Sequence, residues 1–374
     1  MIPFDVVVQT SARGGSILAQ GREILRLLDS PGRVLSLTFF VDAVDAAAYG
    51  VARNSLLAAV DGQFGADAPA VTVVAEPSSG GGDVVLEATV LAAPADVDRR
   101  SCGGVAYTVV TDRGMRQLHC GGIGSGLPSD DPAAQATDAF AKMEAVLAAE
   151  GMTFGHVVRQ WNYIEGLLDV RSDCPLGHQR YQAFNDVRAV AYARSTFPTG
   201  YPAATGIGQT AGGIALEFIA LDAPSDVHVA AISNPRQTDA HDYSGGMLVG
   251  ESLVRLKDKC TPKFERAKLV ARGNEQTVFV SGTAAIIGEA SVAPGDVEAQ
   301  TDTTIDNITA LVEGRRLSRL RAYVKHAGDI PAVRRICEEA FGSIPAVYVQ
   351  ADICREELLV ELEGALRVPA RGYE

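Results

Sequence analysis

The chain of 374 residues repeats itself. The segment GYPAATGIGQTAGGIALEFIAL, residues 200–221, is similar to SIPAVYVQADICREELLVELEG, residues 343–364. The segments that precede these two are also similar to one another, and they follow in the same order. The separation is about 144 residues, as between Glu217 and Glu361. Such self-similarity means that one structural unit occurs more than once and that neighbouring copies pack together. The first hundred residues fit a third, more divergent copy.

Hydrophobic patterning predicts helices and strands within these copies. In the first hundred residues, apolar runs predict strands over 34–40, 71–76 and 83–93, and apolar residues at helical spacing predict a helix over 42–63. The predicted fold class is therefore α+β.

The repeat divides the chain into modules and a connector. The predicted ranges are a degenerate N-terminal module over 1–104, a middle module over 105–231, a connector over 232–270 and a C-terminal module over 271–374. The connector is punctuated by Gly and Pro and shows little regular pattern. Long connections of this kind are more often functional than idle.

The charge balance limits the partners of the chain. With 33 Lys and Arg against 46 Asp and Glu, the net charge is −13, which disfavours nucleic acid and anionic membranes. We expect no transmembrane helix and no signal peptide, because no apolar run is long enough and the N-terminus lacks a basic start before an apolar core. The six cysteines show no CxxC pair or Cys/His ligand spacing, so we expect a reduced, cytoplasmic protein without a metal site.

The C-terminal stretch 344–364 concentrates reactive side chains. Alternating residues before Arg355 and a second run from Leu358 predict two strands joined by a charged turn into a hairpin. The first run would place Tyr348 and Cys354 on a polar face that is free for chemistry.

Two glutamates of the second run, Glu361 and Glu363, share the face opposite its apolar residues. A carboxyl group between apolar neighbours and opposite the Cys354 thiol is a candidate general acid. The alternative is an edge strand with solvated glutamates. Glu217 is the predicted repeat counterpart of Glu361, so the pattern leaves either residue as the acid.

Three upstream segments and this hairpin resemble the RidA/YjgF family: TVFVSGTAAIIGE (277–289), GDVEAQTDTTIDNITALVEG (295–314) and LRAYVKHAGDIPAVRRICEEAFG (320–342). The resemblance implies a RidA/YjgF-like, chorismate-mutase-like module. The resemblance also implies a trimeric arrangement, because members of that family form trimers whose sites lie at subunit interfaces. Three copies in one chain would form an intramolecular pseudo-trimer, so a monomer with a site between modules is expected. The substrate arginine of the deaminases is replaced by Val347 and Tyr348, which argues against imine deamination.

Several arginines are candidate carboxylate ligands, because a guanidinium binds a carboxylate through two parallel hydrogen bonds. Arg159, Arg180, Arg188 and Arg194 flank aromatic and amide residues, and Arg266 lies in the irregular connector. The connector makes Arg266 the leading candidate.

A set of ordered motifs from about residue 105 onward resembles the chorismatases. The resemblance implies cleavage of chorismate with release of pyruvate. Glu361 would protonate the methylene of the enolpyruvyl ether, and Arg266 would hold a substrate carboxylate, with Tyr201, Thr205 and Gln350 lining the pocket. No cofactor is implied. The motifs are RQWNYI, RYQAFNDVRAVAYAR, FPTGYPAATGIGQTAGG, SNPRQTDAHDY, PKFERA and CREELLVELEG.

The resemblance also bears on the ring product. The branch that aromatises the ring, giving 3-hydroxybenzoate and in some members also 4-hydroxybenzoate, has a cysteine seven residues before the catalytic glutamate, as Cys354 is here. The hydrolytic branch, which gives a dihydroxycyclohexadiene carboxylate, has alanine after the carboxylate-binding arginine, as Ala267 is here. We expect 3-hydroxybenzoate, because a thiol can take part in proton transfer. A non-catalytic module that binds small carboxylates is the further alternative.

Overall fold

The structure is a computed structural model that describes residues 1–11, 14–28, 31–78, 83–127, 130–170, 179–247 and 259–368. The strands of these residues form three main sheets, one after another along the chain, and helices cover the outer face of each sheet. The fold is therefore α+β, as predicted. We call the units built on these sheets the first, middle and last modules.

The first module contains a four-stranded sheet of order β1-β4-β2-β3. Its strand β3 ends at Val74, close to the predicted end at 76. Its helix α2 begins at Ala46, and Asp45 caps this helix by accepting a hydrogen bond from the backbone N–H of Ala48. Its elements are β1 (Phe4–Thr10), α1 (Ile17–Arg26), β2 (Val34–Val41), α2 (Ala46–Phe64), β3 (Ala70–Val74) and β4 (Val84–Leu91).

The middle module contains a six-stranded sheet of order β5-β6-β7-β10-β8-β9. Its last four strands repeat the order of the first module, and the hairpin β5-β6 is added at one edge. Its elements are β5 (Asp96–Cys102), β6 (Val105–Asp112), β7 (Met115–Gly124), α3 (Pro132–Ala149), β8 (Val157–Glu165), α4 (Arg180–Tyr192), β9 (Ala203–Gln209) and β10 (Ile214–Asp222).

The last module repeats the middle one with the order β11-β12-β13-β18-β16-β17. Its elements are β11 (Val227–Ile232), β12 (Ala267–Arg272), β13 (Glu275–Ala284), the short pair β14 (Ile286–Ile287) and β15 (Ala290–Ser291), α5 (Val297–Leu311), β16 (Arg319–Val324), α6 (Ile330–Phe341), β17 (Ala346–Gln350) and β18 (Val360–Val368).

Sheet membership bears on the predicted module boundaries. The range 96–102 is a strand of the middle sheet although it precedes position 105, and the connector begins and ends within β11 and β12 of the last sheet. We therefore propose module boundaries near residues 93 and 225, with the connector shortened to 233–266. Below, the loop 233–266 means the described residues of this range, 233–247 and 259–266.

The predicted C-terminal hairpin is wrong. Strand β16 lies between β17 and β18, pairing parallel with β17 and antiparallel with β18. The polar face assigned to the first run is also wrong, because Tyr348 is buried under α6 with Arg334 against its ring. Strand β17 lies at the edge of its sheet but is covered on both faces, by the central core on one side and by α6 on the other, so its alternation does not mark a free face.

The inner faces of the three sheets meet in one central apolar core, while each module has its own core under its helices. This arrangement is consistent with an intramolecular pseudo-trimer. One buried glutamate per module joins it to another module: Glu217 accepts hydrogen bonds from Thr38, Glu363 from Arg159, and Glu87 from Arg321. The three contacts run head to tail around the centre of the molecule.

Candidate active site

A cavity lies at the interface of the middle and last modules. Strand β9 and helix α4 form one wall, β13 and β18 form the other, and the loop 233–266 covers it. The lining residues are Gln179, Tyr181, Gln182, Asn185, Ala204, Gly206, Tyr243, Met247, Pro262, Phe264, Arg266, Gly282, Ala284, Ile286, Cys354, Arg355 and Glu361. Three predicted site residues, Glu361, Cys354 and Arg266, are therefore brought together in one site.

Glu361 lies on β18 with 4% of its surface exposed. Burial, and then the negative charge of Glu363, raise the pKa of Glu361 to about 8, against the opposing effect of Arg159 and Arg266. Among the described residues, no hydrogen bond restrains its carboxyl group. A buried carboxyl group that keeps its proton near neutral pH can act as a general acid.

Gly282 on β13 makes room for this carboxyl group. A Cβ atom at position 282 would lie 1.9 Å from Glu361 Oε1. The backbone N–H of Gly282 donates to Thr205 Oγ1 at 3.1 Å, so the strand is fixed to the middle module at this point. Any larger residue here would displace the candidate acid.

Glu363, two residues further along β18, anchors the strand to the middle module. Its carboxylate accepts hydrogen bonds from Arg159 at 2.5 Å, from Trp161 Nε1 at 2.5 Å and from the hydroxyl of Thr205. The group is 2% exposed. Charge-assisted bonds of this kind hold a side chain in a single orientation, so the negative charge near Glu361 is fixed in place.

Arg266 precedes β12 and is 3% exposed. Its guanidinium donates to the carbonyl of Thr238 and, at 2.7 Å, to the hydroxyl of Tyr243, and it lies against the ring of Phe264. Among the described residues, no carboxylate pairs with it. A buried guanidinium without a counter-ion is suited to an anionic ligand.

Cys354 lines the cavity between β17 and β18. Burial, and then the charge of Glu361, raise the pKa of Cys354 to about 12. The group is therefore a neutral thiol at physiological pH, able to donate a weak hydrogen bond.

The other predicted site residues lie elsewhere. Thr205 is buried behind the cavity wall, where it holds Glu363, and Tyr201 stacks on Tyr192 beside the site. Gln350 is wrongly assigned to the pocket: its amide donates to the carbonyl of Lys325 and its backbone to the first module. Ala267 is likewise not part of the lining, because its methyl group packs into the outer core of the last module.

The predicted correspondence of Glu217 with Glu361 is wrong by two residues. Glu217 lies opposite a β-bulge in the register of β10 with β7, and Glu363 lies opposite the same irregularity in β13. The counterpart of Glu361 is therefore Ala215. The sequence repeat alone could not show this shift, because a bulge changes the register without changing residue type.

A second cavity, at the interface of the first and middle modules, shows how the candidate site differs from its counterpart. It has Ala215 where Glu361 lies and the tight turn Gly103–Gly104 where the loop 233–266 lies. It measures about 410 Å³, against about 70 Å³ around Glu361, where the loop adds bulky side chains such as Phe264. Small-molecule sites usually measure about 300–1,000 Å³, so a ligand with a six-membered ring requires the lining side chains to shift.

Asp239, His241 and Asp242 have donor atoms within 4.8 Å of one another, close enough to hold a metal ion. They lie in the loop 233–266. His241 contacts Tyr201 edge-on, and Asp242 is exposed.

Several lining residues were missed by the sequence reasoning. Arg355 was assigned to a turn, and Tyr181 and Asn185 were treated only as aromatic and amide residues flanked by arginines. The only sequence signal for them is the repeat itself, since helix α4 occupies the place at this interface that α2 occupies at the preceding one.

Comparisons with known proteins agree with this architecture. Residues 93–220 match the family model "Chorismatase FkbO/Hyg5-like, N-terminal". A 3-hydroxybenzoate synthase of Streptomyces hygroscopicus is 34% identical over 238 residues, which is 58% of this chain and 65% of that protein. A chorismatase of Streptomyces rapamycinicus is 35% identical over 228 residues, which is 56% and 64% of the two chains.

The chain thus spans just under two thirds of the length of these relatives. A crystal structure of a chorismatase shares the fold over 98% of this chain and 100% of that one, with a TM-score of 0.69 at 23% identity. No helix among the described residues is long and apolar enough to cross a membrane. The chain thus has the fold of that chorismatase, and its sequence is similar to chorismatases over the matched domain and over more than half of its length.

Proposed function

We propose that this chain cleaves chorismate and releases pyruvate, with Glu361 as the general acid. The observation that carries the proposal is that one cavity holds a buried carboxyl group, whose pKa is raised to about 8, and Arg266, which has no carboxylate partner among the described residues. The names of the relatives, 3-hydroxybenzoate synthase and chorismatase, support the same substrate.

The proposed reaction begins with transfer of the Glu361 proton to the methylene carbon of the enolpyruvyl ether. The ether carbon becomes an oxocarbenium ion, which the newly formed carboxylate of Glu361 stabilises. Arg266 binds a carboxylate of the substrate and so sets the distance from the methylene to the acid. When the bond between the ring carbon and the ether oxygen breaks, its electron pair stays on the oxygen, which becomes the ketone oxygen of pyruvate.

The proposed ring product is 3-hydroxybenzoate, with some 4-hydroxybenzoate possible in the same rearrangement. Chorismate equals hydroxybenzoate plus pyruvate in atoms, so no water is consumed and Glu361 recovers its proton when the ring aromatises. The position of Cys354 in the cavity lining supports this branch, as does the relative named 3-hydroxybenzoate synthase.

The hydrolytic reaction is the second candidate. It consumes one water and gives a dihydroxycyclohexadiene carboxylate, and Ala267 is the sequence feature that favours it. Because the methyl group of Ala267 packs away from the cavity, its effect on the product would have to pass through the backbone of the adjacent Arg266.

The experiment is incubation of the purified protein with chorismate, without added metal or cofactor. Pyruvate is measured with lactate dehydrogenase, and ring products are separated by chromatography. Pyruvate with 3-hydroxybenzoate is expected. Pyruvate with the diol would keep Glu361 and reject the rearrangement. Ligand binding without pyruvate would favour a non-catalytic carboxylate-binding protein.

A further inference from the structure

Arg355 is a second cation in the cavity. It follows Cys354 directly and lines the same site as Glu361. One guanidinium nitrogen, Nη1, donates to the carbonyl of Glu289 at 2.8 Å and to Ser291 Oγ at 3.1 Å. Among the described residues, no carboxylate lies within ion-pair distance of Arg355. The remaining donors of its guanidinium are therefore available to a ligand.

Arg355 and Arg266 share an aromatic neighbour. Their guanidinium carbons lie 5.4 and 5.5 Å from the ring centroid of Tyr243. Each therefore makes a cation–π contact with one ring, but that contact does not neutralise either charge. Among the described residues, the cavity therefore holds two arginines without an ion-pair partner beside the carboxyl group of Glu361.

Two fully buried arginines at the module interfaces are compensated by carboxylates. Arg159 pairs with Glu363 at 2.5 Å, and Arg321 pairs with Glu87 at 2.8 Å. Burying a charge without a counter-ion is costly. Two arginines that lack such partners, in a single cavity, fit a ligand that brings two negative charges.

We propose that Arg355 binds the second carboxylate of a dianionic substrate, so that the cavity selects dicarboxylates over monocarboxylates. The inference rests on the proposed function, because chorismate carries one carboxylate on its ring and another on its enolpyruvyl group. Arg266 and Arg355 then bind one carboxylate each, and the occupied site is electrically neutral while Glu361 keeps its proton.

The test uses two unreactive probes, isophthalate with two carboxylates and benzoate with one, titrated calorimetrically into the whole chain. Wild type is expected to bind isophthalate more tightly than benzoate. Arg355→Gln should weaken isophthalate about 10- to 100-fold, as loss of a charged hydrogen-bond partner does, and change benzoate less than about threefold. The matched control is Arg335→Gln, which removes an equal charge from an exposed arginine paired with Glu298 and Glu339 and should change neither affinity.

Two results would overturn the proposal: a wild type without preference for isophthalate, or an Arg355→Gln variant that binds both probes with equally reduced affinity. The second result would indicate a loop displaced by loss of the contacts to Glu289 and Ser291. Benzoate affinity and the thermal unfolding midpoint report on folding in each variant.

These readouts do not require turnover. A preference for dicarboxylates without pyruvate release would keep the role of Arg355 and reject the proposed enzyme. Pyruvate release by the wild type, together with unchanged isophthalate binding in Arg355→Gln, would keep the proposed enzyme and reject the role of Arg355. If both hold, Arg355→Gln should raise KM for chorismate about 10- to 100-fold and leave kcat within a few fold.

Discussion

Glu217 and Glu363 occupy equivalent positions in consecutive modules, each opposite a β-bulge in the neighbouring strand and each bonded to the module before it. This register makes Ala215 the counterpart of Glu361. The candidate acid is therefore present at one of these two interfaces and absent from the other.

The register separates the roles of two glutamates. Glu361→Gln should reduce pyruvate release at least 10²-fold, because a general acid contributes about 10²–10⁴-fold. Glu217→Gln should leave the rate within a few fold, since its carboxyl group contacts Thr38 outside the cavity. The measurement is the rate of pyruvate formation by wild type and by each variant under saturating chorismate. Equal losses in both variants would contradict the assignment.

Activity should depend on pH through the proton of Glu361. Its pKa of about 8 keeps the acid protonated at neutral pH. We expect kcat/KM to fall about tenfold per pH unit above pH 8, as one proton is lost. A profile that stays flat to pH 10 would show that Glu361 is not the proton donor.

The same group should make folding stability depend on pH. The pKa of Glu361 is raised in the folded state above its unfolded value of about 4.3, so between these values the folded chain binds more protons than the unfolded chain. Its contribution to the free energy of unfolding therefore decreases as pH rises from about 4 to 8. The unfolding midpoint of Glu361→Gln, relative to wild type, should rise across that window and level off above it. A difference that is constant with pH would contradict the raised pKa.

Glu363→Gln should shift the pH profile and weaken the fold. Loss of its negative charge lowers the pKa of Glu361, so the alkaline limb of kcat/KM should move to lower pH. Arg159 would lose its buried partner, at a cost of about 3–5 kcal/mol in the free energy of unfolding.

The matched control for this change is Glu87→Gln, at the equivalent position of the first module. It also breaks a buried ion pair, with Arg321. It should lower stability by a similar amount without moving the alkaline limb. Denaturant titration and pH–rate profiles of both variants distinguish the local charge effect from general destabilisation.

Cys354→Ala should change the ring product while pyruvate release continues. The thiol lines the cavity and its raised pKa keeps it protonated, so its loss removes a hydrogen-bond donor beside the ring but leaves the acid intact. We expect more of the diol relative to 3-hydroxybenzoate, measured by chromatography. Cys337→Ala, in the outer core of the last module, is the control that should leave the product ratio unchanged.

The sequence predicted the repeated α+β modules and three residues that meet in one cavity. It did so because hydrophobic alternation and the order of motifs survive in a single chain. It could not place β16 between β17 and β18, because strand order depends on long-range pairing. It also could not show that Gln350 and Ala267 point away from the cavity or that Arg355 lines it, since those orientations depend on bulges and on contacts between modules.

The loop 233–266 replaces what is a two-residue turn, Gly103–Gly104, in the preceding module. In a homotrimer any such insertion appears three times, and all three interfaces must tolerate it together. A chain that carries its three modules in tandem escapes this constraint, because each interface is encoded separately. One interface can then acquire an acid and two arginines while the others keep the packing that holds the protein together.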